Sequence, residues 1–141
     1  MNNILDLAFL FIISLLAATI LPAQSEIVLV GLNFKSDISS YVLLVVATFG
    51  NVLGSVINWF LGRYLRHFKG KKYFPIKEKS LTKATDIYNK YGVWTLLLAW
   101  VPFIGDPLTI VAGILRTNII VFLILVTIGK MGRYAAILSV L

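Results

Sequence analysis

The sequence predicts an all-α integral membrane protein built as an inverted repeat. Each half is a re-entrant hairpin followed by a transmembrane helix, and a basic cytoplasmic amphipathic linker joins the halves. Three observations predict this. First, hydrophobic residues make up 59% of the chain and charged residues 13%, with a mean hydropathy of +0.90. An ordinary soluble domain is about 25% charged. So few charges could not cover the surface of a water-soluble fold. Second, Leu21-Pro22-Ala23-Gln24-Ser25-Glu26 is echoed by Val101-Pro102-Phe103-Ile104-Gly105-Asp106, each with a proline, a carboxylate four positions on, and an apolar return to glycine (Gly31, Gly113). Thr48-Phe49-Gly50-Asn51 against Thr127-Ile128-Gly129-Lys130 repeats at nearly the same offset. Paired, proline-broken hydrophobic units are the sequence pattern of transporter folds made from inverted repeats. Third, the net charge of +7 is concentrated in residues 63–90, where nine bases face only Glu78 and Asp86. The positive-inside rule places that segment in the cytoplasm.

These boundaries define a single membrane domain, 1–141, with a first repeat (1–62), a linker (63–90) and a second repeat (91–141). Residues 7–25 are uncharged, but Pro22 interrupts the run and Glu26 follows. A straight helix through Pro22 would lose about 3 kcal/mol unless neighbours compensated. A hairpin that turns inside the membrane near Pro22 and returns to its starting side fits better, with its irregular backbone buried in protein or facing a wet cavity. A cleaved signal peptide fits poorly, because Met1 to Asp6 contain no Lys or Arg and do contain an acid.

Residues 38–62 carry no charge and are long enough to cross about 30 Å at 1.5 Å per residue. Gly50 and Gly54 form a GxxxG pair on one face, a spacing that lets another helix approach closely. Asn51 and Asn58 are polar at membrane depth and are expected to hydrogen-bond within the bundle. In the linker, residues 76–91 predict an interfacial helix, with Ser80 as N-cap and an apolar stripe of Leu81, Ala84, Tyr88 and Tyr91. Trp59, Tyr64, Tyr73, Tyr91 and Trp94 read as headgroup-level anchors. The basic residues of the linker read as setting topology and touching anionic headgroups.

The second half repeats the design. Tyr91 to Gly105 is uncharged, Pro102 and Asp106-Pro107 break it, and Leu108 to Leu115 returns to Arg116. Residues 118–141 can cross the membrane, although Lys130 and Arg133 lie near the middle. Three residues apart, these two cations share a helix face. Facing lipid they would be costly, so they are expected to point inward, with Glu26 and Asp106 as partners. Counted from a cytoplasmic 63–90, the first hairpin opens to the outside and the second to the cytoplasm, with both acid-bearing tips near the midplane.

At these residues the sequence resembles the DedA family of membrane proteins, also called the SNARE-associated or VTT family, and most closely its short YqaA-like branch. The matching stretches are Pro22 to Glu26, Gly50 to Gly54 with Gly62-Arg63, Trp100 to Pro107, Ala112-Gly113, and Gly129-Lys130-Met131-Gly132-Arg133-Tyr134. The resemblance covers nearly the whole chain. It implies a bacterial inner (cytoplasmic) membrane protein that crosses the membrane several times and translocates lipid, such as undecaprenyl phosphate or a phospholipid, often linked to the proton motive force. Longer members carry a Gly-Arg-Phe-x-Pro-x-x-Arg signature in the second hairpin. Here that stretch is Leu98 to Gly105, without either arginine, and Asp106 follows.

The functional expectation is a flippase-like or scramblase-like lipid transporter. Glu26 and Asp106 are its candidate proton-coupling residues, Lys130 and Arg133 its candidate anionic-lipid-binding residues, Pro22, Pro102 and Pro107 its hairpin breaks, and Gly50 and Gly54 its helix-packing positions. The expected partners are membrane lipids with an anionic headgroup and protons; a homo-oligomer stays open. Two alternatives stand beside this: a proton-coupled transporter of a small ion or solute, and a non-transporting assembly factor whose four charges form a structural network. Enzymatic function is not expected, because His67 sits in the basic loop without an acid and nucleophile at recognisable spacing. No cofactor is expected. The chain has no cysteine and one histidine, which leaves no metal-ligand spacing, and no base-reading nucleic-acid module is present.

Overall fold

The computed structural model describes residues 3–17, 24–64, 78–101 and 104–140, with only the backbone of Gln24 and Glu78. Pro22, Pro102 and residues 65–77 of the basic linker, Tyr73 among them, lie outside the described residues. Among the described residues, six α-helices and one 3-10 segment follow in order: α1 (Asn3–Ala17), α2 (Gln24–Lys35), α3 (Ser40–Tyr64), α4 (Glu78–Tyr91), the 3-10 segment (Gly92–Trp100), α5 (Gly105–Ile114) and α6 (Ile119–Ser139). No strand occurs among the described residues.

Two helices, α3 and α6, are long and apolar enough to cross a membrane; α1 and α5 are apolar but shorter. The outer surface is unlike that of a soluble fold. Ile4, Phe9, Ile12, Val45, Phe49, Ile120, Ile124 and Ile128 are exposed, while Lys130 is buried. Exposed apolar surface on this scale marks contact with lipid or another apolar partner.

Helix α3 is the centre of the bundle and packs against α1, α5, α6 and α2. Small residues make the close crossings possible. A Cβ on Gly50 would lie 2.6 Å from the Phe11 carbonyl oxygen of α1. Where α3 meets α5, a Cβ on Gly62 would overlap the Ile110 carbonyl and one on Gly113 would overlap the Trp59 carbonyl. Glycine is therefore required on both sides of that crossing, which brings the two backbones into contact as small residues do in membrane bundles. Gly54 is also buried.

The apolar core lies in three clusters. Leu10, Leu29, Leu43 and Ala47 join α1, α2 and α3 around Tyr134 of α6. Trp59, Leu96, Ala99, Ala112, Phe122 and Val126 form the second. In the third, Leu81 and Ala84 of α4 pack on Leu108, Ile110 and Val111 of α5.

Four details differ from the sequence reading. Trp59 is buried, and its Nε1 donates to the Thr117 carbonyl at 3.1 Å, so it joins core to loop and is no headgroup anchor. Helix α4 begins at Glu78, which places Ser80 inside the first turn and not at the N-cap. The leg after Gly92 is a 3-10 segment of nine residues, far longer than the usual three or four. Its threefold repeat puts Leu96 and Ala99 into the core and leaves Trp94 and Trp100 exposed. Finally, Asp106 and Pro107 do not interrupt a helix; they lie in the first turn of α5, after Ile104 as N-cap. Proline fits there because first-turn amides have no intrahelical acceptor.

Candidate functional site

Helix α6 positions the two cations. Gly129 packs against the 3-10 segment, where a Cβ would meet the Leu97 carbonyl oxygen at 2.8 Å. That approach carries Lys130 into the interior. Its Nζ lies 3.0 Å from Asp106 Oδ1, with the lysine side chain 7% exposed. One turn on, Arg133 Nη2 lies 2.9 Å from Glu26 Oε1, and Nη1 donates to the Trp100 carbonyl at 2.9 Å. Both acids sit in the first turn of short helices, Glu26 in α2 and Asp106 in α5. A helix N-terminus favours a carboxylate through its unpaired amides. The structure thus brings all four candidate charged residues together as two pairs on one face of α6. Arg133 also ties α2 to the end of the 3-10 segment.

A seam of small polar residues on α3 reaches the neighbourhood of both pairs. Thr48, Asn51, Ser55 and Asn58 follow three-and-four spacing and are all buried. Asn51 Nδ2 donates to the Tyr134 hydroxyl at 3.0 Å and to the Ser14 carbonyl at 3.1 Å. The Tyr134 hydroxyl also shares a 2.7 Å hydrogen bond with Ser25, next to Glu26. Further along, Asn58 Nδ2 donates to Thr109 Oγ1 at 3.1 Å, and that hydroxyl donates to the Asp106 carbonyl at 2.6 Å. Sequence reasoning found Asn51 and Asn58 but missed Ser25, Ser55, Thr109 and Tyr134. The spacing of positions 48, 51, 55 and 58 within an uncharged span was the available signal. Glu26 Oε2, Thr48 Oγ1 and Asn51 Oδ1 are buried without a hydrogen-bond partner among the described residues.

Beside Arg133 runs an apolar groove of about 700 Å³ between α6 and the 3-10 segment. Leu97, Trp100, Ile128, Gly129, Gly132, Ala136 and Ile137 line it, and Arg133 is the one charged lining residue among the described residues. A guanidinium at the edge of an apolar trough can hold an anion whose remainder is hydrocarbon.

These features define a helical membrane protein with partly buried charge pairs between short helices and a long apolar one. The VTT domain model matches residues 21–141, and the chain belongs to that family, the DedA family. It is 38% identical over 139 residues to the inner membrane protein YqaA of Escherichia coli, covering 97% of this chain and 92% of that one. Undecaprenyl phosphate transporter A of Staphylococcus aureus is 32% identical over 136 residues, covering 86% of this chain and 66% of that one. An alkaline phosphatase-like protein of Lactococcus lactis is 30% identical over 122 residues, covering 78% and 57%. No solved structure matches the chain.

Proposed function

We propose that this protein moves an anionic lipid across a bacterial cytoplasmic membrane, with undecaprenyl phosphate or a phospholipid as its cargo. One observation carries the reading: Arg133 pairs with Glu26 inside the bundle and also lines the apolar groove. The relative named undecaprenyl phosphate transporter A supports a polyprenyl phosphate as cargo. In this scheme the tail lies along Leu97, Ile128 and Ile137, and the phosphate competes with Glu26 for the guanidinium. Arginine stays protonated throughout and offers a planar fork that matches phosphate oxygens. Protonation of Glu26 removes the competing charge and frees Arg133 for cargo; loss of that proton restores the pair and expels the phosphate. Tyr134, held by Ser25 and Asn51, keeps the α2 end in register with α6.

The architecture that goes with this cycle is a pair of inverted re-entrant hairpins. The α1–α2 hairpin opens to the outside, the one formed by the 3-10 segment and α5 opens to the cytoplasm, and residues 63–90 are cytoplasmic. Single cysteines at Asn2 and Asn33 are expected to react with an impermeant reagent from outside, and cysteines at Asn89 and Thr117 from the cytoplasm. Labelling of positions 2 and 33 from opposite faces would remove the first hairpin.

In proteoliposomes, the protein is expected to move a labelled polyprenyl phosphate or phospholipid between leaflets, faster with a proton gradient than without. Movement that ignores the gradient would leave a scramblase without proton coupling. No movement of any anionic lipid by folded protein would overturn the reading. The competing reading is a purely structural network, favoured by the fact that both cations are already paired. Charge pairs of that kind also occur away from functional sites.

A further inference from the structure

We infer that a second anion site lies between the end of α3 and the turn from α5 to α6, where Arg63 and Arg116 bind the phosphate of a membrane lipid headgroup. The site shares no residue with the Glu26–Arg133 groove and does not depend on the transport cycle. A pocket of about 410 Å³ opens there, with Trp59, Arg63, Tyr64, Arg116, Thr117 and Asn118 among its lining residues. Among the described residues no lining residue is acidic, and neither arginine has a carboxylate partner. Two guanidiniums facing one cavity repel each other, so an anion between them relieves a cost the protein otherwise bears.

The fold builds this pocket deliberately. The Gly62–Gly113 crossing presses α3 onto α5, so that a Cβ on Gly113 would lie 3.0 Å from the Arg63 amide nitrogen. Trp59 Nε1 on the Thr117 carbonyl, together with a Tyr88–Thr117 side-chain hydrogen bond, fixes the turn. The Arg63 guanidinium lies over Trp59 and Tyr64, 5.4 and 5.7 Å from the ring centres. Stacked in this way, its planar fork is held in place, and among the described residues nothing hydrogen-bonds its edge, which can take phosphate oxygens.

Arg116 supplies an independent observation. Helix α5 ends in a Schellman turn, with Thr117 N donating to the Ala112 carbonyl at 2.9 Å and Arg116 N to the Gly113 carbonyl at 3.1 Å. The residue at that corner takes a left-handed conformation, here φ 59°, which is normally the place of glycine. Arginine there carries a backbone cost, and residues held in such conformations cluster at functional sites. The first amides of α6 do not supply the site, since Asn118 Oδ1 already accepts from Ile120 N and Val121 N. The pocket sits at one end of a candidate membrane span, beside exposed Tyr64 and Phe60, which suits a headgroup phosphate.

The test uses the full chain in phosphatidylcholine nanodiscs, titrated with short-chain phosphatidic acid and, separately, with inorganic phosphate. Arg63→Gln and Arg116→Gly are each expected to weaken phosphatidic acid binding about tenfold, the loss of a charge-assisted hydrogen bond. Arg116→Gly relieves the positive φ, so it folds at least as well as the parent and its loss cannot come from unfolding. Arg116→Lys is expected to retain much of the binding, because the charge remains. The same titrations are repeated in an Arg133→Leu background, where Arg63→Gln and Arg116→Gly are expected to cause the same tenfold loss, which separates this site from the groove. Binding of inorganic phosphate as tightly as the lipid, lost in the same variants, would assign the site to free phosphate instead of a headgroup. Unchanged affinity for both ligands in Arg63→Gln and Arg116→Gly would overturn the site.

Discussion

Asp106→Asn is expected to cost about 3–5 kcal/mol of stability, the penalty for leaving one partner of a buried pair uncompensated. The geometry makes the penalty large. Lys130 is 7% exposed at its side chain, and Asp106 Oδ1 at 3.0 Å is its one hydrogen-bonded partner among the described residues. An asparagine oxygen can still accept from Nζ, but it carries no charge to balance the ammonium. Thermal unfolding in detergent is the measurement, with Lys130→Met as the reciprocal single change. The double variant Asp106→Asn with Lys130→Met is the informative one. Removing both charges from an interior site is often neutral or stabilising, so the double variant is expected to regain most of the loss. If it regains stability and also transports lipid at the parental rate, the Lys130–Asp106 pair is structural alone. If it is stable but inactive, the pair takes part in the cycle.

Much of this arrangement was legible in the sequence, and for a physical reason. Lys130 and Arg133 are cations inside an otherwise uncharged helix, and charge in hydrocarbon has to be paired. Glu26 and Asp106 were the acids within reach, and each cation meets one of them in the structure. Helix α3 was similarly readable, because a long uncharged run bounded by Asp37 and Arg63 leaves little freedom. What escaped the sequence depends on distant segments meeting. The Tyr134 hydroxyl joins Ser25 and Asn51, and nothing local to position 134 announces that. Trp59 looked like an anchor because aromatic residues near the end of a span usually are; its burial follows from the Gly62–Gly113 crossing, which draws the turn before α6 over its ring. The 3-10 segment was unreadable too, since an apolar run such as Val93 to Trp100 suits either helix type. Proline disrupts helix interiors, so Pro107 reads as a break in the sequence, yet in the first turn of α5 it displaces no intrahelical hydrogen bond.

The largest functional effect is expected at the other pair. Arg133→Leu should abolish lipid movement, at least a hundredfold, while the protein stays inserted and folded. Leucine is cheap in hydrocarbon, and the position borders an apolar groove, so the fold loses a link to Trp100 and Glu26 but gains apolar contact. Glu26 then becomes the orphan. Its Oε2 already lacks a hydrogen-bond partner among the described residues. Arg133→Lys should recover part of the rate, because charge is retained while the two-pronged grip on Glu26 and Trp100 is lost. Glu26→Gln separates the two roles of the pair. If Glu26 only holds Arg133 in place, glutamine should destabilise the protein by exposing an unbalanced cation and leave the residual transport as sensitive to the proton gradient as before. If Glu26 competes with cargo phosphate, glutamine mimics its protonated form. The variant should then bind anionic lipid more tightly, fail to release it, and lose its response to the gradient. Lipid affinity and gradient response measured on one folded preparation decide between these. Parental transport in both Arg133→Leu and Glu26→Gln would take this pair out of the mechanism.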